Sequence, residues 1–302
     1  MKRLLITGAS GYLGWHCCNH LKHGWRTYGV GHQNQNGIHP NAIGCLLDLT
    51  DKDALWHLLK KVKPDAVFHL AAHSGTGYCE AHPEESRLLN VNVVEYLAEM
   101  CSDLKSRLLF TSSEQVFDGH KGQYSEADTP CPKNKYGEQK WEAEQLIQAI
   151  YPEAVILRIA VLYGQSTPAA KSFLNQWLDA WSKLLSVTAF HDETRQFLSA
   201  ASCAEALFHL LSQGAEGVFH VGGEMALTRF DFGKIATDVL TLQHAKMESL
   251  GQKDAEMPAF RPADLSLDLS KIKSTGFVPI HPVAELKSLK PFLKIEPDVS
   301  LN

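Results

Sequence analysis

The chain has 302 residues, of which 44% are hydrophobic and 21% charged, and it carries a net charge of -5 at neutral pH. That length suits one large domain or two intimate ones, and that composition is ordinary for a soluble globular protein with a substantial core. No basic block points to nucleic acid or a membrane surface, no run of 18 apolar residues points to a membrane span, and the glycine-interrupted start MKRLLITGASGYLG is not expected to be a signal peptide.

Taken in chain order, RLLITGA (3–9) is strand-like and ends at glycine, and YLGWHCCNHLKHG (12–24) is helix-like with Gly24 as its stop. RTYGVG (26–31) is a second strand. DKDALWHLLKKV (51–62) is an amphipathic helix with Asp51 at its dipole-positive start, ended by Pro64. AVFHLAA (66–72) is a buried strand, PEESRLLNVNVVEYLAEMCSDL (83–104) a long helix, and RLLFTSS (107–113) the next strand. NKYGEQKWEAEQLIQAI (134–150) is a helix, and AVILRIAVLYG (154–164) a strand. This alternation predicts an α/β chain, a Rossmann doubly wound parallel sheet covered on both faces. Beyond residue 164 the pattern becomes irregular, with helix-like segments at 172–185 and 228–240, a strand-like GVFHVGG (217–223) and a proline-interrupted stretch at 255–277. The expected division is a dinucleotide-binding domain over 1–164 and a smaller, mainly C-terminal substrate lobe over 165–302, with 217–223 able to return to the main sheet.

The seven cysteines (17, 18, 45, 79, 101, 131 and 203) form no C-x-x-C pair and are read as reduced thiols of a cytoplasmic protein. The 15 histidines are scattered without an H-E-x-x-H motif, so no metal is expected.

TGASGYLG sets Gly8, Gly11 and Gly14 between the first strand and the first helix. Such glycines permit a tight turn, close approach of a pyrophosphate and close helix packing, and the helix N-terminus favours the anion. A ligand-free glycine turn would look the same, but the position directly after a strand is the one that cofactor binding requires. The second strand runs into VGHQNQNG, which lacks the acid that an NAD site uses for the ribose 2′-hydroxyl. NADP is therefore favoured over NAD, with His32 beside the 2′-substituent. Asp48 suits either the adenine amino group or a capping role in its loop.

Tyr136 and Lys140, four residues apart, share one helix face. Ser112 and Ser113 end a strand at the sheet edge where ligands bind. A serine there and a tyrosine on the adjacent helix can converge over a nicotinamide. Ketone reduction needs a hydride and a proton. A free phenol, with a pKa of about 10, is too weak an acid, and an ammonium about 4 Å away is expected to lower that pKa by ~3 units. A serine hydroxyl can orient the same substrate oxygen.

With these residues go HLAAH (69–73), AHPEESRLLNVN (81–92), SSEQVFDG (112–119), YSEADTPCPKNKYGEQK (124–140), LRIAVLYG (157–164) and RPADLSLDLSKI (261–272). On them the chain resembles the extended short-chain dehydrogenase/reductases, and more narrowly the dTDP-4-dehydrorhamnose reductases and the related regulatory β subunit of methionine adenosyltransferase. The resemblance implies Tyr136 as proton donor, Lys140 as its partner, Ser113 rather than Ser112 as the catalytic serine, and Asn90 as a supporting residue of the site. It implies cofactor contacts at Gly8, Ser10, Gly11, Tyr12, Leu13, Gly14, His32, Asp48, Leu49, Leu70, Ala71, Ala72, Tyr136 and Lys140, the last holding the nicotinamide ribose hydroxyls, and substrate contacts at His73, Ser113, Glu114 and Arg261. Arg261 is assigned to nucleotide phosphates, with an interlobe structural role as the alternative. The chain departs from the reductase pattern at Thr76 and Gly77, at Glu114 and Gln115, and at Cys203, while Glu80 is kept. The implied function is NAD(P)H-dependent reduction of a 4-keto nucleotide sugar or another small carbonyl substrate. A non-catalytic NADP-binding regulatory subunit and a nucleotide-sugar epimerase are the alternatives, with a homodimer or a larger partner enzyme as the assemblies left open.

Overall fold

The computed structural model describes residues 1–20 and 24–293. Seven parallel strands form the main sheet: β1 (Lys2–Thr7), β2 (Trp25–Gly31), β3 (Ile43–Leu46), β4 (Ala66–His69), β5 (Arg107–Ser113), β6 (Val155–Ile159) and β7 (Gly217–Val221). Their order is β7-β6-β5-β4-β1-β2-β3, so the direction of strand addition reverses between β1 and β4. Ligands bind at such a switch point, outside the carboxyl ends of the strands.

Alternate residues of each buried strand feed the two faces. Leu4 and Ile6 of β1 join the core under helices α1 (Tyr12–Asn19) and α5 (Ala200–Gln213), whereas Leu5 joins the core under α2 (Lys52–Val62), α3 (Val93–Leu104) and α4 (Lys135–Ile150). The two-residue period of a strand therefore makes a two-sided apolar sheet. Helix α2 starts where Asp51 caps it, the carboxylate accepting the Ala54 amide at 2.9 Å, and ends with Lys63 in the left-handed region. Helix α4 starts at Asn134, whose side-chain oxygen accepts the Gly137 amide at 2.9 Å.

The predicted continuous helix over 83–104 is interrupted. Residues Pro83–Arg87 are α-helical, Leu88–Asn92 form one π turn, and α3 follows. A π turn inserts an extra residue into the ladder and re-aims the side chains on it. Asn90 lies in this turn and is fully buried. The strand-like segment 154–164 also breaks at Ala160, leaving Leu162–Tyr163 to pair with Leu198–Ser199.

The remaining chain builds a second apolar cluster around Tyr163, Leu174, Trp181, Phe197, Phe232 and Leu286. Its helices are Phe173–Ser182, Arg229–Leu240 and Pro282–Leu289, and two small sheets accompany them. Ser186–Phe190 pairs with Lys246–Leu250, and Thr194–Gln196 pairs with Ala226–Thr228. A late segment threads back to the first half. The Asp264 amide donates to Gly119 O at 3.0 Å, the Tyr124 amide to Ser266 O at 2.9 Å, and the Asp268 amide to Tyr124 O at 2.7 Å. No helix among the described residues is long and apolar enough to cross a membrane.

Candidate functional site

A cleft of about 1250 Å³ lies along the carboxyl ends of the strands and continues toward the second cluster. At one end is the turn from β1 to α1. Gly8 has φ +68°, and a Cβ there would stand 2.7 Å from Ala71 N. A Cβ on Gly14 would stand 2.1 Å from Gly8 O, so a hydrogen at this position lets α1 sit tight on the loop. Gly8, Ser10, Gly11, Tyr12 and Leu13 border the cleft; Gly14 does not, and its place is in the packing beneath the turn. His32, Asp48 and Leu49 border the same end, and Leu70, Ala71, Ala72 and His73 form the floor beyond it. Asp48 Oδ1 accepts from the Thr50 amide at 2.9 Å and the Thr50 hydroxyl at 2.7 Å, bonds that hold its carboxyl below the usual range. Asp48 thus closes a turn within its loop, and the capping role belongs to Asp51 instead. A narrow glycine turn opening a helix, followed by a groove long enough to reach Tyr136, fits a dinucleotide.

At the other end of that groove α4 brings Tyr136 and Lys140 to the cleft, both buried. Lys140 Nζ lies 5.9 Å from the centre of the Tyr136 ring and donates to Thr111 O at 2.8 Å. Ser113 borders the cleft with Tyr136 and lowers the phenol's pKa against the effect of burial, whereas Ser112 donates to Glu144. Glu144 is in turn clasped by Arg158, with Nη2 2.7 Å from Oε2. The two serines thus divide, with Ser113 facing the cleft and accepting the Gln115 amide at 3.2 Å and Ser112 on a buried ion pair.

The electrostatics differ from the expected acidified phenol. Burial pushes the Tyr136 phenol well above its ordinary value; Ser113 opposes this, and Cys79 and Glu114 add to it. Burial also pushes the Lys140 ammonium down to about 7, against the field of Glu144. Desolvation dominates both groups, because the helix buries them together.

Asn90 does not border the cleft. Its oxygen accepts the His73 amide at 2.9 Å, and its nitrogen donates to His73 O at 3.0 Å and to Gln139 Oε1 at 2.8 Å. It therefore fixes the His73 backbone from behind. Gln139, overlooked in the sequence although it lies between Tyr136 and Lys140, donates onward to Ser86 Oγ at 2.8 Å and Pro83 O at 3.0 Å.

Beyond Ser113 the cleft meets a charge cluster. Glu193 is fully buried and lies 2.7 Å from both Arg229 Nε and Arg261 Nε. Buried Arg195 stands 3.6 Å from Glu193 and 3.2 Å from Glu114. Burial alone would raise Glu193, but its three arginines hold it down to about 2. Arg229 and Arg261 keep part of their surface on the cleft. Of these residues only Arg261 and Glu114 were foreseen. Glu193, Arg195 and Arg229 come from segments without a local motif, and a run such as ETRQF gives no sign that its charges are buried.

The RmlD substrate binding domain family matches residues 1–292. The chain belongs to this family. Its relatives include a probable low-salt glycan biosynthesis reductase, Agl14, of Haloferax volcanii, 30% identical over 276 residues and covering 89% of this chain and 90% of the relative. They also include the β subunit of methionine adenosyltransferase 2 of Mus musculus, 28% identical over 302 residues and covering 97% and 88%. Among solved structures, a hypothetical dTDP-4-dehydrorhamnose reductase from Sulfolobus tokodaii is 28% identical with a TM-score of 0.78, covering 90% of this chain and 94% of that one. The dTDP-4-dehydrorhamnose reductase of Bacillus anthracis, solved with NADP, is 20% identical and shares the fold with a TM-score of 0.86, covering 96% and 99%.

The departures of this RmlD-family chain from the reductase pattern have physical settings. Gly77 lies against Pro258, where a Cβ would meet Pro258 Cγ at 2.9 Å. Glu80 accepts the Lys135 amide at 2.9 Å and so serves the start of α4. Gln115 Oε1 accepts from Asn134 Nδ2 at 2.9 Å, and Cys203 is buried in the core under α5. His16 and His20, and likewise His69 and His73, stand four residues apart in sequence. Even so, among the described residues no group of three or more His, Cys, Asp or Glu side chains is placed to hold a metal ion.

Proposed function

We propose that the protein is a cytoplasmic NAD(P)H-dependent reductase of a 4-keto nucleotide sugar, with NADP the favoured cofactor and residues 165–302 supplying most of the substrate lobe. The observation that carries this reading is the order of groups along one cleft: a glycine cradle, then Tyr136, Lys140 and Ser113, then Arg229 and Arg261. A bound reduced nicotinamide supplies the hydride. The turn at Gly8–Leu13 receives the cofactor pyrophosphate, and the floor from Leu70 to Ala72 lies under its ribose. Ser113 bonds the substrate carbonyl oxygen, and Tyr136 gives that oxygen a proton as negative charge develops on it. The raised pKa of Tyr136 keeps the phenol protonated at neutral pH, so the donor is loaded before each turnover. Lys140 holds the ribose side of the site, and in its charged form it favours departure of the phenol proton. Arg229 and Arg261 grip the phosphates of the nucleotide, since a guanidinium fork matches phosphate oxygens.

A second reading is an NADP-binding regulatory subunit. It is supported by the 28% identity to the methionine adenosyltransferase 2 β subunit over 97% of this chain, and by the burial that weakens both Tyr136 as an acid and Lys140 as a cation. One assay separates the two. NADPH absorbance is followed with a panel of 4-keto nucleotide sugars. Turnover that falls by ~10²–10⁴ in Tyr136→Phe, with NADP binding kept, establishes the reductase. Tight NADP binding without turnover on any ketosugar, together with co-purification of a larger enzyme, establishes the regulator.

A further inference from the structure

Gln115 lies two residues beyond Ser113, at one of the positions where the chain departs from the reductase pattern, and its side chain borders the cleft. Its backbone is pressed against the start of α4, where a Cβ on Gly137 would stand 2.2 Å from Gln115 O. A series of hydrogen bonds fixes which end of the Gln115 amide points where. The Gly137 N–H can only donate, and it donates to Asn134 Oδ1 at 2.9 Å. Phe260 O can only accept, and it accepts from Asn134 Nδ2 at 3.2 Å. Two backbone groups therefore set the direction of the Asn134 amide, which is only 2% exposed. Asn134 Nδ2 also donates to Gln115 at 2.9 Å, so Gln115 must present Oε1 to it. Gln115 Nε2 is left over. It has no hydrogen-bond partner among the described residues, yet it is not enclosed by protein.

We infer that Gln115 is a specificity-determining residue, its Nε2 donating to an oxygen on the sugar ring of the substrate. This rests on the ketosugar reading above and names the kind of sugar atom that is read, an acceptor. Three observations carry it. The donor is oriented in advance by backbone groups acting through Asn134, so an arriving acceptor meets it without rearrangement. One Asn134 nitrogen holds both Gln115 and the Phe260 carbonyl, so the two residues are neighbours, and Phe260 is 53% exposed and borders the cleft. A donor beside an exposed aromatic residue suits a pyranose, whose oxygens line its rim and whose C–H groups line its faces. The position is also right. The Gln115 amide donates to Ser113 Oγ at 3.2 Å, and Asn134 stands two residues before Tyr136, so the donor flanks the reacting carbonyl. A nucleobase lies on the far side of the phosphates.

The test is titration calorimetry of the NADP-loaded full chain with dTDP-rhamnose and with dTDP, which lacks the sugar. The readout is the affinity gain of the first over the second. Gln115→Met keeps the length of the side chain without donor or charge, and the gain is expected to fall about five- to tenfold. Gln115→Glu keeps an acceptor for Asn134 but puts a second acceptor where the donor stood, and the gain should fall at least as far. Asn134→Asp keeps the helix cap, since aspartate caps as well as asparagine. It removes the donor that orients Gln115, the amide turns to offer Oε1 to the cleft, and the gain should fall although no group that touches the sugar has been changed. NADPH affinity of each variant is the control for an intact fold. A gain unchanged in Gln115→Met, a gain unchanged in Asn134→Asp, or no gain from the sugar in the wild type overturns the inference. NADPH oxidation with ketosugars is measured separately. Turnover with a gain indifferent to Gln115 keeps the reductase reading and removes this contact, and the expected pattern of gains without turnover does the reverse.

Discussion

Asn90 and Gln139 are joined side chain to side chain at 2.8 Å, and the bond ties the π turn to the helix that carries Tyr136 and Lys140. Asn90→Ala leaves the His73 amide, the His73 carbonyl and Gln139 Oε1 without their partner in a buried place. The expected cost is about 2–4 kcal/mol in urea denaturation, with a lower NADP affinity as the floor at Ala71–His73 loosens. A loss within ~0.5 kcal/mol, the range of surface changes, would show that the turn holds its shape without the amide.

Gly14→Ala is expected to be severe. The new Cβ would lie 2.1 Å from Gly8 O, so α1 or the turn must move. Overpacking of this kind costs about 1–3 kcal/mol, and the displaced turn should bind NADP at least tenfold more weakly. Gly75→Ala is the control, since its nearest neighbour would be Tyr78 Cβ at 3.5 Å, an ordinary contact. Fluorescence titration with NADPH and thermal melting of both variants distinguish a steric lesion at one position from a general intolerance of the loops.

Lys140 gives a pH signature. Its folded pKa, about 7, lies below the ordinary lysine value of 10.5. Between those values the unfolded chain holds a proton that the folded chain does not, so this group makes stability rise with pH across the window. The cost of burying the ammonium is fully present below pH 7 and has vanished above 10.5. The stability of Lys140→Met relative to wild type should therefore decline steadily from pH 7 to pH 10, read by chemical denaturation at each pH. A constant difference would mean that the amine keeps its ordinary affinity for protons in the fold.

Glu193 adds stability where Lys140 subtracts it, and here too stability rises with pH, in a lower window. Its folded pKa, about 2, lies below the ordinary glutamate value of 4.5. Its contribution is fully present above pH 4.5 and is lost as pH falls through 2. Glu193→Gln removes the anion from among Arg195, Arg229 and Arg261, and the expected loss at pH 7 is about 3–5 kcal/mol. The gap between variant and wild type should close as pH is lowered from 4.5 toward 2. Melting curves over that range would refute the assignment if the gap stayed open.

The sheet was legible because its strands are short apolar runs ending at turn residues, and RLLFTSS and AVFHLAA are buried on both faces as such runs imply. Tyr136, Lys140 and Ser113 were legible because a four-residue helical spacing and a strand end fix where side chains go. The π turn was not, since LLNVN keeps a helix-compatible apolar pattern and the extra residue comes from tertiary bonding of Asn90. Nor was the strength of burial around the phenol and the ammonium. A pair on one helix face says nothing of how much protein lies over that face, and here desolvation decides both pKa values. The Glu193 cluster was hidden for a third reason, that its members meet only after residues 114, 193–195, 229 and 261 are folded together.

The threading of residues 264–268 between Gly119 and Tyr124 has a bearing on how the protein is made. A ribosome releases the glycine turn and the helix of Tyr136 long before it releases residues 264–268, so the bonds to Gly119 and Tyr124 are among the last to form. A chain cut short before residue 261 would lack these bonds and would leave buried Glu193 without the Arg261 guanidinium that now faces it at 2.7 Å.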